Sequence, residues 1–224
     1  MNDSALNKIT AFFWNIFCLN FIFIASNIVL ISVLLFVIFH WITILLYLIA
    51  LFLLLVSFQA MFLTVKKSSQ LDEMSMISCY IYVYRGEFKN LSLYASAYLG
   101  IAMMLSIGYI NIRLIGWNQP LFTTTYLLLF VLLYIHFIFS LLIRVNFIID
   151  MKGTWRLGLY CISKYPFYCL LIFAKTLILG WAIQIIPALL FLGIVPLFGY
   201  SVIKMTTKIF KELEMTLSDT KAKP

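Results

Sequence analysis

The sequence predicts an all-α membrane protein, a polytopic bundle of six transmembrane helices, and three observations carry that prediction. Of 224 residues, 64% are hydrophobic and only 11% are charged, with a mean hydropathy of +1.07. Soluble domains run about 45–50% apolar and about 25% charged, so a water-soluble core could not hide this much apolar surface. The apolar residues also fall in runs near the roughly 20 residues that a membrane-crossing helix requires. Finally, the basic residues collect in alternate connections between those runs, the pattern that orients multi-pass chains.

The spans follow in order. The first apolar run, 11–39, and the second, 41–64, are divided by His40-Trp41. Residues 91–110 make a third span, 121–142 a fourth and 166–186 a fifth. A short sixth covers 188–205, with Pro187 at the turn before it and Pro196 expected to kink it. The first run is too long for the apolar part of a cleavable leader and leads straight into the second, so it reads as a span. One transmembrane domain, 1–206, is then followed by a cytoplasmic tail, 207–224, read as an amphipathic helix with a disordered end.

Six spans put both termini on one side. Segments on that side hold Lys8; Lys66, Lys67, Arg85 and Lys89; Arg144, Lys152, Arg156 and Lys164; and Lys204, Lys208, Lys211, Lys221 and Lys223. The opposite side keeps Arg113, and Lys175 lies within a span. Such asymmetry places both termini in the cytoplasm. The net charge of +8 therefore signals cytoplasmic retention and contact with anionic lipid of the bilayer, with no nucleic acid as partner.

Two apolar stripes stand in the segments read as cytoplasmic. Met74, Ile77, Ile81, Tyr84 and Phe88 recur at three- and four-residue steps, on one helical face. Met205, Ile209, Leu213 and Leu217 form a second stripe, with Lys208 and Glu212 one turn apart. Each reads as a helix lying against the bilayer or the protein's own bundle.

A near-repeat is the most distinctive local feature. RGEFKNLSLY at 85–94 and KGTWRLGLY at 152–160 share a basic residue, Gly, any residue, an aromatic and a basic residue, then Leu-small-Leu-Tyr. The first copy carries one extra residue, Asn90. Both are read as cytoplasmic elbows before an outward-going helix. Arg85, Lys89, Lys152 and Arg156 suit phosphates at the headgroup level, Phe88 and Trp155 suit the interface, and Gly86 and Gly153 would permit a bend. Identical order in both copies is more than anchoring requires, so the two elbows are also expected to form one docking surface.

The stretches AFFWNIFCLNFIFI, FQAMFLTVKK, YRGEFKNLSLYASAYLG and NIRLI, in this order and spacing, resemble the YesL-like family of bacterial integral membrane proteins. The resemblance covers most of the chain and is strongest from residue 11 to 115. It implies a polytopic helical fold in the plasma membrane of a bacterium. It also implies a role near carbohydrate ABC importers, whose genes often neighbour those of the family. Where the family tends to have Gly and Pro in the second span, this chain reads LLLVSFQAMF.

Catalytic chemistry has little to work with. Asp3, Asp72, Glu73, Glu87, Asp150, Glu212, Glu214 and Asp219 are the acidic residues, and none is placed well inside a span. His40 and His136 lack a zinc-binding context, no phosphate-cradling Gly-rich loop exists, and Cys18, Cys79, Cys161 and Cys169 show no metal-ligand spacing. No catalytic residue, metal or cofactor is expected. Within the spans, Lys175 either snorkels to the headgroups or faces a partner. His136, Asn20, Asn27 and carbonyls freed near Pro196 are its candidate partners. Gln59, with the two asparagines, suits helix–helix hydrogen bonding. Ser96-Gly100 and Ala102-Ser106 permit close helix packing, with a homo-oligomer as one outcome.

The expected function is a non-enzymatic accessory or assembly subunit of a carbohydrate ABC importer, touching its permease subunits. The alternatives are a self-contained small transporter or channel with Lys175 in its pathway, or a membrane sensor.

Overall fold

The computed structural model describes residues 3–38, 40, 43–67, 75–115 and 119–221. All regular structure among them is helical: α1 (Asp3–Ser26), α2 (Ile28–Phe36), α3 (Ile44–Lys67), α4 (Met76–Gly86), α5 (Phe88–Ile115), α6 (Gln119–Asn146), α7 (Met151–Lys164), α8 (Pro166–Ile185) and α9 (Ile194–Lys221). A 3₁₀ turn, Pro187–Leu190, joins α8 to α9.

Among the described residues, five helices are long and apolar enough to cross a membrane: α1, α3, α5, α6 and α8. That set is the signature of a multi-pass membrane protein. The apolar run 11–39 is divided between α1 and α2. Two side chains mark the division by bonding back onto the preceding turn: Ser26 Oγ donates to the Ile22 carbonyl at 2.8 Å and Asn27 Nδ2 to the Phe23 carbonyl at 2.8 Å. The run 188–205 is likewise not one helix. It comprises most of the 3₁₀ turn, a reversal at Gly193 (φ 92°) and the first part of α9. Pro196 stands in the first turn of α9, where its missing N–H interrupts no hydrogen bond, so it starts a helix instead of kinking one. The α9 helix then runs unbroken through the expected boundary at 206 to Lys221.

Three ion pairs fix one end of the bundle. Lys67 at the end of α3 meets Glu87 before α5 at 3.1 Å, Arg144 near the end of α6 lies 3.7 Å from the same carboxylate, and Lys164 at the end of α7 meets Glu212 of α9 at 3.2 Å. α1 and α9 are antiparallel: the rings of Phe12 and Tyr200 are 5.2 Å apart, while Asn20 Nδ2 donates to the carbonyls of Leu190 (2.8 Å) and Phe191 (3.1 Å). The start of α1 therefore shares an end of the bundle with the later part of α9.

The core lies where α3, α5 and α6 meet. Ala60, Met61 and Phe62 of α3, Leu91, Tyr94 and Tyr98 of α5, and Ile138, Phe139, Leu142 and Ile143 of α6 are all buried. Outward faces remain apolar, as a lipid-facing surface requires. The two cytoplasmic-type stripes diverge. Ile209 and Leu213 are buried in the bundle, but Ile77, Ile81 and Phe88 are exposed, and α4 buries Cys79, Tyr80 and Val83 instead. Met74 lies outside the described residues. Ser96, Gly100 and Ser106 also face outward, so they do not mediate packing within the chain.

Candidate functional site

The first copy of the repeat straddles the break between α4 and α5. At Glu87 the amide N–H closes α4 onto the Val83 carbonyl (3.0 Å), and its own carbonyl accepts the Leu91 N–H of α5 (2.9 Å). One residue thus serves two helices, and its carboxylate is free to gather Lys67 and Arg144. No left-handed backbone is used here; among the described residues only Gly193 has positive φ. The bend at Gly86 needs no glycine conformation, and nothing lies within 4 Å of where a Cβ at 86 would stand.

Arg144 is the centre of the arrangement. Its side chain is 9% exposed, its Cζ lies 4.1 Å from the centroid of the Tyr94 ring, and Nη1 donates to Gln59 Oε1 at 2.8 Å. Gln59 Nε2 in turn donates to the Leu91 carbonyl at 3.2 Å, and Tyr94 Oη donates to Thr154 Oγ1 at 3.0 Å. A buried guanidinium survives only with such compensation, because an unpaired charge in low dielectric costs several kcal/mol. The network therefore locks α3, α5, α6 and α7 together at the basic end.

The second copy is not a second elbow. It lies inside α7, whose N-terminus is capped by Asp150 Oδ1 accepting from the Gly153 N–H at 3.1 Å. Trp155 turns inward and stacks on Tyr98 (5.0 Å between centroids, 18° between planes) and against His136 (4.7 Å). The burial of the two copies is inverted. Phe88 is exposed and Tyr94 buried in the first; Trp155 is packed against the core and Tyr160 exposed in the second. Asn90 explains part of this, since one extra residue rotates everything after it by about 100° on a helix of 3.6 residues per turn. Arg85, Lys89, Lys152 and Arg156 are all exposed.

The intramembrane polar residues do not converge. His136 Nε2 lies 3.1 Å from the Trp155 carbonyl, which can only accept, so that nitrogen carries the proton and Nδ1 faces the Tyr98 hydroxyl at 2.7 Å. Lys175 is half-buried and bonds Ser201 Oγ, with the Ser201 carbonyl at 3.5 Å. It meets neither His136 nor the asparagines, and Ser201 lies beyond the turn that Pro196 begins. Asn20 Nδ2 donates to the Leu190 and Phe191 carbonyls while its Oδ1 is buried without a hydrogen-bond partner, and Asn27 Oδ1 accepts from Ser57 Oγ at 3.0 Å. Among the described residues no three His, Cys, Asp or Glu side chains group as metal ligands. Burial pushes the Cys161 thiol up to about 12 and raises that of Cys79, although Lys67 pulls the latter down. The neighbouring Tyr165 side chain and the Glu212 carboxylate hold the Lys164 ammonium above its usual range, and the same lysine holds Glu212 below the usual carboxylate range.

Glu87, Arg144, Tyr94, Tyr98 and Thr154 were not singled out by the sequence. A signal existed for the first two: Glu87 is the lone acid inside a basic motif, and Arg144 directly follows the fourth apolar run. Beside them opens a cavity of about 500 Å³. Gly86, Glu87 and Asn90 line one side, the α6–α7 turn from Phe147 to Met151 lines the other, and Tyr94 and Arg144 lie between. The first repeat copy and the turn just ahead of the second thus meet at one place.

No protein-family model matches the chain, and neither a curated protein nor a solved structure matches it. Fold and site define a class: a multi-pass, all-helical membrane protein with a polar network closing one end of its bundle.

Proposed function

We propose that this chain is a non-enzymatic subunit of a bacterial plasma-membrane assembly that docks a partner at its basic end. The observation that carries the reading is one cavity lined by the first repeat copy and by the α6–α7 turn that leads into the second, with Arg85, Phe88, Lys89, Lys152 and Arg156 of the two copies left exposed. Ile148, in the α6–α7 turn between the copies, is also fully exposed. An apolar side chain beside a basic rim suits an interface with an aromatic or aliphatic anchor. Trp155 is not part of that surface; it positions α7.

The partner follows from the resemblance to YesL-like proteins: permease subunits of a carbohydrate ABC importer. In this reading the bundle crosses the membrane six times, the last crossing using the 3₁₀ turn and the first half of α9. The antiparallel pairing of α1 and α9 supports termini on one side, and the clustered basic residues support the cytoplasm for that side.

The test is affinity purification from the native host in mild detergent, with the bound chains identified. Wild type should retain importer subunits, and Phe88→Ala combined with Ile148→Ala should lose them at unchanged membrane abundance. Undiminished recovery by the double variant, or no importer subunit with wild type, would sink the docking reading.

A further inference from the structure

We propose that the cavity beside Arg144 binds a small zwitterion, an oxyanion linked to an ammonium, of the kind an aminophospholipid headgroup presents. The argument starts from unfilled donors. Of the five N–H groups of the Arg144 guanidinium, Nη1 supplies one hydrogen bond, to Gln59, and Nη2 stands 3.7 Å from Glu87, outside hydrogen-bonding range. Arg144 nevertheless lines the open volume, which is wide enough to admit an oxyanion. A phosphate is the group whose geometry a guanidinium fork matches.

Charge decides against a plain anion. Two carboxylates line the same cavity, Glu87 and Asp150. Glu87 is already held by Lys67 at 3.1 Å, but Asp150 faces no cation among the described ion pairs and is exposed, with one oxygen capping α7. A simple anion would meet the Asp150 charge, and a simple cation would meet Arg144. A molecule bearing both charges satisfies each. Asn90, the residue inserted in the first repeat copy, adds an exposed amide to the wall. The position favours a lipid source, because this is the end of the bundle where basic side chains cluster as they do at headgroup level. The inference stands whether or not a protein partner docks nearby.

The experiment uses the full-length protein in nanodiscs holding equal phosphatidylethanolamine and phosphatidylglycerol, with retained lipid counted by native mass spectrometry. Wild type is expected to keep the ethanolamine lipid in about fivefold preference, the order set by one charge-assisted hydrogen bond at a wet mouth. Asp150→Asn keeps an N-capping oxygen, so α7 stays folded, and should erase the preference. Arg144→Lys should weaken retention of both lipids. Glycerophosphoethanolamine added to delipidated protein separates the sources: a raised unfolding temperature in wild type but not in Asp150→Asn assigns the site to a free zwitterion, and no rise assigns it to intact lipid. Equal retention of the two lipids by wild type, or full preference in Asp150→Asn, overturns the proposal.

Discussion

Trp155 stacks on Tyr98 with ring centroids 5.0 Å apart and planes 18° from parallel, and that contact ties α7 to α5. The same indole touches His136, whose Nε2 bonds the Trp155 carbonyl. Its sequence counterpart, Phe88, instead stands exposed at the start of α5. The two corresponding aromatics are therefore held differently: Trp155 packs between two rings of the core, while Phe88 leans on Tyr84 (5.7 Å between centroids) and leaves much of its ring exposed.

Truncating them should give opposite results. Trp155→Ala removes a stacked, half-buried ring and should cost about 2–3 kcal/mol, below the range for a wholly buried Trp. Phe88→Ala should cost less than about 1 kcal/mol, as a surface substitution away from any hydrogen bond. Thermal unfolding in detergent compares the two directly. Equal losses would mean that the contact of Phe88 with the Tyr84 ring, 5.7 Å between centroids, holds it as firmly as Tyr98 holds Trp155.

At Gly158 α7 lies close against α6. A Cβ there would lie 2.9 Å from His136 Nε2, 3.2 Å from Cδ2 and 3.3 Å from Ser140 Oγ. The His136 ring is held on both nitrogens and cannot swing away freely. Gly158→Ala should therefore destabilise by about 1–3 kcal/mol through overpacking. Gly180→Ala, with nothing within 4 Å of its Cβ, should be neutral or gain up to about 1 kcal/mol of helix propensity. Chemical unfolding of the two variants side by side reads the difference.

Lys175 reaches Ser201, and it enters none of the ion pairs among the described residues. Lys175→Met removes a partly buried charge that insertion scales price at about 2.5–3.5 kcal/mol at a helix centre, so the variant should insert and fold at least as well as wild type. Liposome flux by the purified protein should not depend on it. Solute movement that disappears in a folded Lys175→Met variant would instead establish a transport pathway through this residue.

The Cys161 thiol is buried and pushed up to about 12, so at pH 8 only about one molecule in ten thousand carries the reactive thiolate. Peptide mapping after N-ethylmaleimide treatment should find this cysteine unmodified in the folded protein and modified after denaturation. Rapid labelling in the native state would show that α7 detaches from the bundle.

Cysteines introduced at Gln70 and Lys211 test orientation. An impermeant reagent should miss both in intact cells and reach both after lysis. Labelling of either in intact cells would reverse the assigned sidedness.

Composition and run length by themselves determined the class of this protein, because lipid exposure is a property of whole segments. The long apolar helices α3, α5, α6 and α8 all lie over runs that read as spans. The placing of polar residues at one bundle end was also legible in the sequence for Lys67, Arg144 and Lys164, since each closes an apolar run or a short amphipathic helix. What the repeat does was not. Pattern matching aligned Phe88 with Trp155 and Tyr94 with Tyr160, yet burial depends on helical phase and on which neighbour stands opposite. A helix break at Glu87 and one inserted residue changed the phase, and His136 and Tyr98, distant in sequence, supplied the pocket that drew Trp155 inward. The pairing of Arg144 with Gln59, 85 positions apart, was equally invisible, because only tertiary packing brings α3 beside α6. The sign and number of charges are written in the chain; which of them meet is decided by how the helices cross.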